Sequence, residues 1–80
     1  MSISTMPTIL DVKHVTGVRE QLAALPKDLS TPLSVQLEAF RGQDLLPGEH
    51  VELLMVDGRA VRLNFFVDTD GTLWIERLAV

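Results

Sequence analysis

Two Asp-Gly dipeptides, Asp57-Gly58 and Asp70-Gly71, punctuate the second half of this chain between runs rich in β-branched and aromatic residues. Such a dipeptide between extended runs signals a hairpin, because glycine accepts the positive φ that a type I′ turn needs. Runs 50–56, 59–67 and 72–79 are therefore expected to form a three-strand antiparallel meander. With Asp57-Gly58 as a two-residue loop, Val56 faces Arg59 and Leu54 faces Val61. Leu54, Val56, Val61, Leu63 and Phe65 then share one side of the sheet. The same count through a two-residue Asp70-Gly71 loop adds Trp74, Leu78 and Val80, and this side reads as the core.

The opposite side carries Val51, Leu53, Met55, Ala60, Phe66, Leu73 and Ile75, interrupted by Arg62, Asn64 and Arg77. Antiparallel sheets with one wet face normally alternate cleanly, so a sheet apolar on both sides calls for two covers. Upstream, Val18, Leu22 and Leu25 fall on one stripe at helical spacing, and Pro26 stops the pattern. This predicts an amphipathic helix over Gly17–Leu25, capped by Thr16 or Gly17, which supplies one cover. The second is expected from curling into a small barrel, from the N-terminal segment or from another chain.

Two segments read both ways. Ile9, Val12 and Val15 recur at helical spacing, but the β-branched content of residues 8–15 favours an edge strand. In STPLSVQLEAFRG, Leu33, Val35, Leu37 and Ala39 alternate as in a strand. As a helix, Thr31 would cap, Pro32 would take the first position, Leu33, Leu37 and Phe40 would align, and Gly42 would terminate. The turn chemistry of LLPGE, leading into another extended run, favours the strand. Residues 1–7 read as a frayed terminus. The expected fold is α+β: one short N-terminal helix packed on a four- to five-stranded, mainly antiparallel sheet, with closure into a barrel as an option, in one domain spanning residues 1–80.

Composition removes several classes of function. There is no cysteine, which excludes disulfides and thiolate-bound zinc. No aliphatic run is longer than the four residues of Leu53 to Val56, far short of the roughly 20 residues of a membrane span. The first ten residues lack the basic and apolar regions of a secretory signal, so a cytoplasmic location is expected. His14 and His50 are the only imidazoles, and neither stands in a catalytic motif. His50 and Glu52 would share a strand face, but without the His-Glu-x-x-His spacing no metal or other cofactor is expected. Asp68, Asp70 and Gly71 resemble the middle of a calcium loop without its twelve-residue frame or closing glutamate, and read as a tight turn.

These observations point away from an enzyme and toward a small protein–protein interaction module, of adaptor, inhibitor, immunity or chaperone type. It would act through an apolar sheet face or edge strand, with Val51, Leu53, Met55, Phe66 and Ile75 in contact with a partner or with a second copy in a homodimer. Eleven acidic against seven basic residues give a net charge of −4, an acidic rim suited to a basic partner. The alternative is a small-barrel binder of single-stranded nucleic acid using Arg62, Arg77, Phe66 and Trp74, which the net charge opposes.

Overall fold

The computed structural model describes residues 6–80. Its elements are β1 (Asp11–His14), α1 (Thr16–Ala24), α2 (Lys27–Glu38), β2 (Gly48–Val56), β3 (Arg59–Val67) and β4 (Thr72–Ala79). The four strands form one mixed sheet in the order β1-β4-β3-β2, with β1 parallel to β4 and the other neighbours antiparallel. The class is α+β as expected. The helix count and the closure are corrected, because there are two helices among the described residues and the sheet stays open. The expected fraying of residues 1–7 falls largely outside the described residues, although the Pro7 carbonyl accepts a hydrogen bond from the Leu45 N–H at 3.2 Å.

Residues 8–15 contain the edge strand β1, as their β-branched content favours. Helix α1 begins at Thr16, with Val15 at the cap position and no side-chain cap. Val18 is buried, and Leu22 and Leu25 pack partly buried against the core, so the expected stripe forms. The strand expected at 33–40 is instead part of α2. Leu29, Leu33 and Leu37 recur every fourth residue and are all buried with Phe40, while Val35, which a strand would have buried beside Leu33 and Leu37, is exposed. One apolar stripe three turns long outweighs the ladder bond that Pro32 cannot donate inside the helix.

The first hairpin forms as the sequence implies. Asp57 and Gly58 have φ of 51° and 76°, as a type I′ turn requires, and Val56 pairs with Arg59 and Leu54 with Val61. The second turn is longer than the expected two-residue loop. The Asp68 N–H donates to the Thr72 carbonyl at 2.8 Å, and Gly71, at φ 91°, donates to the Asp68 carbonyl at 3.2 Å. Phe65 therefore faces Ile75 and Phe66 faces Trp74, one residue off the expected register. A bulge at Glu76 restores it, so Asn64 faces Arg77 and Leu63 faces Leu78.

Three face assignments change as a result. Leu73 and Ile75 are fully buried in the core, which removes Ile75 from the set of contact residues, and Trp74 moves to the opposite face. Val80 lies past the end of β4 and is exposed. The core joins Val56, Val61, Leu63, Phe65, Val67, Leu73, Ile75 and Leu78 of the sheet to the apolar stripes of both helices. Two helices thus cover one face. The other has no cover among the described residues, so the expected second cover does not come from within them.

Candidate functional site

The open face is built by alternation, and the β2–β3 register fixes its β2 margin. Val51 lies opposite Asn64, Leu53 opposite Arg62 and Met55 opposite Ala60. Val51, Leu53 and Met55 are 59%, 68% and 63% exposed, an aliphatic stripe on the outermost strand. Phe66 is half-buried further along the same face, opposite Glu49 on one side and Trp74 on the other.

The backbone of β2 has a second asymmetry. Residues flanking a two-residue turn exchange both ladder bonds, so Val56, Leu54, Glu52 and His50 bond toward β3. Met55, Leu53, Val51 and Glu49 consequently direct their N–H and C=O groups away from the sheet. The Met55 carbonyl accepts a hydrogen bond from Gln36 Nε2 at 2.8 Å, which confirms that direction and caps that end of the edge. Val51 and Leu53 therefore combine an exposed apolar side chain with backbone groups that have no partner among the described residues. Sequence reasoning identified the side chains; the backbone direction follows from the turn type, a signal already present in Asp57-Gly58.

Arg62, Arg77, Phe66 and Trp74 all occupy the open face. Their convergence depends on the longer second turn, which brings Trp74 opposite Phe66. The Lys13 ammonium lies 5.4 Å from the centroid of the Trp74 ring, within cation–π range. Along the strands this face carries Lys13, Arg62 and Arg77 against Glu49 and Glu76, while Asp11 is engaged by Arg41 at 3.5 Å. The acidic excess therefore belongs mainly to the helices and turns, apart from Glu49 and Glu52 along β2.

Glu49, Asn64, Glu76 and Arg77 line a shallow polar depression of about 370 Å³. A hydrogen bond shared with Glu49, then burial, then the charge of Glu49 raise the Glu76 carboxyl above its ordinary value. Two carboxylates meet here because the bulge turns both Glu76 and Arg77 to the open side.

The histidines have structural surroundings. The His50 ring stacks on Phe65 at 4.9 Å, and its Nε2 lies 2.6 Å from the Leu46 carbonyl. A carbonyl only accepts, so Nε2 carries the proton. His14 sits on the helix side of β1, where burial, with the nearby Arg19 and against the pull of Glu38, holds its imidazole below the ordinary value. In the second turn the Asp70 carboxylate accepts the Thr72 N–H at 2.9 Å, which lowers its pKa and serves the turn that the calcium-like spacing suggested. No group of three or more metal-ligating side chains, and no helix long and apolar enough to cross a membrane, is found among the described residues. Compared with known protein families, curated proteins and solved structures, the chain matches none.

Proposed function

We propose that this chain is a small non-catalytic protein–protein interaction module, acting in the cytoplasm through the bare edge of β2 and the adjoining open face. The observation that carries this reading is the coincidence at Val51 and Leu53 of exposed aliphatic side chains with N–H and C=O groups that no strand among the described residues pairs. A long edge left in this state is a template for another strand, which gains affinity from main-chain bonds and specificity from alternate side chains. Met55 extends the apolar stripe, and Phe66 forms its inner margin. The test is a photo-crosslinking residue placed at position 53 in cells, with Glu20 on α1 as the control site. Discrete adducts at position 53 and none at position 20 are expected; no adduct at position 53 would contradict the reading.

A second reading is favoured by one observation, the placement of Phe66 and Trp74 side by side on the two central strands of an open sheet, beside Arg62, Arg77 and Lys13. Aromatic pairs of this kind stack unpaired bases. Quenching of Trp74 fluorescence by a labelled single strand, weakening steeply with salt, would support it. No quenching at low salt would remove it.

A further inference from the structure

We infer that the partner of the β2 edge is a second copy of this chain, paired antiparallel with Val51 opposite Val51 of the other copy. This rests on the reading of β2 as a contact edge and deepens it by naming occupant and register. The free backbone groups are those of Glu49, Val51 and Leu53, because Gln36 already occupies the Met55 carbonyl. Two antiparallel copies can oppose these residues in only a few ways. Centring on Glu52 sets Glu52 against its own copy, and centring on Leu53 sets Glu49 against Asp57 and needs the occupied Met55 carbonyl. Centring on His50 sets Leu53 against Pro47, which has no N–H. Directly opposed like charges destabilise a strand pair.

Centring on Val51 keeps these obstacles away from the three free residues, because Pro47, which has no N–H, then faces Met55, whose carbonyl Gln36 already occupies. Glu49 then faces Leu53, Val51 faces Val51 and His50 faces Glu52, so no two carboxylates are opposed. All three free residues of each copy exchange main-chain hydrogen bonds. The operation is a two-fold axis through the middle of the pairing, so one surface serves both copies and the assembly closes at two. The product is a continuous eight-stranded sheet with both helix layers on one side and both open faces on the other. From Glu49 to Val56 no lysine, proline or bulge blunts the strand against this pairing.

The absence of native cysteine makes the register directly testable. Opposed residues in such a pair have Cα atoms about 5.5 Å apart, inside the range of a disulfide. Leu53 and its copy would lie about 14 Å apart, outside it. Mild oxidation is therefore expected to convert Val51→Cys to a covalent dimer at least tenfold faster than Leu53→Cys. Sedimentation of the unaltered chain is expected to show twice the chain mass as concentration rises. Leu53→Pro, which removes an outward N–H, is expected to stay at single-chain mass, and Leu53→Lys provides the same test if the proline variant does not fold. A single-chain mass at every concentration, or crosslinking at position 53 as fast as at position 51, would overturn the proposal. If self-pairing fails while position 53 still yields adducts to another protein in cells, the edge reading stands; if it yields none, both fall.

Discussion

The β2–β3 hairpin carries two sets of apolar side chains with opposite fates. On its inner side Val56, Val61, Leu63, Phe65 and Val67 are fully buried beneath the helices, whereas on the outer side of β2 Val51, Leu53 and Met55 are more than half exposed. Composition does not separate the sets; parity along the strand does. The difference shows that an apolar residue reports a core only when the other side of its strand is polar. In β2 the side chains facing inward include His50 and Glu52, and the most exposed aliphatics face outward.

The largest test of that contrast is Phe65→Ala. It removes a fully buried ring packed against Phe40 at 5.1 Å and against His50, and is expected to cost about 3–5 kcal/mol in thermal or denaturant unfolding. A backbone comparison follows. Glu52→Pro removes a donor to β3 and is expected to cost about 2–3 kcal/mol, while Leu53→Pro, one residue on, should cost less than about 1 kcal/mol. Equal losses in the two variants would refute the assigned bond directions. A similar cost, about 2 kcal/mol, is expected for Gly71→Ala, where φ is 91° and an added Cβ would approach the Thr8 carbonyl to 2.7 Å. Leu53→Ser, on the outer face, should change the stability of the single chain by no more than about 0.5 kcal/mol.

The smallest expected effects are pH-dependent and of opposite sign on the two faces. On the covered face His14 is depressed, so below 6.5 the unfolded chain takes up the proton first and stability falls with pH until the folded imidazole also protonates. On the open face Glu76 is raised, so its contribution is present below 4.5 and is lost as pH rises through the folded value. Glu76→Gln should flatten the second dependence in pH-resolved melts and leave the first unchanged. Both slopes flattening together would show that the two groups are not independent.

The elements that could be read from sequence were those set by local chemistry. Asp57-Gly58 fixed its own turn type and thereby the β2–β3 register, so Val51, Leu53 and Met55 were placed correctly from a two-residue signal. The β3–β4 pairing depended on two compensating irregularities, one extra turn residue and one bulged residue at Glu76. Each shifts the count by one, which is why Leu78 fell on the expected face while Leu73, Trp74 and Ile75 did not. Neither shift has a distinct local signature. Asp70-Gly71 suits a two-residue or a longer turn, and a bulge is decided by packing on both faces. The 33–40 segment failed for another reason: Leu33 and Leu37 satisfy periods of two and of nearly four, and it takes Phe40 at one end and Leu29, a turn earlier, at the other to extend the helical stripe over three turns.

Amide hydrogen exchange along β2, followed against protein concentration, tests the unpaired edge most directly. The Glu52 and Leu54 amides should be protected at every concentration. Those of Val51 and Leu53 should exchange freely in dilute solution and slow as copies associate. Protection of Val51 and Leu53 at the lowest concentration would contradict the unpaired edge, and free exchange at every concentration would contradict its pairing with a second copy.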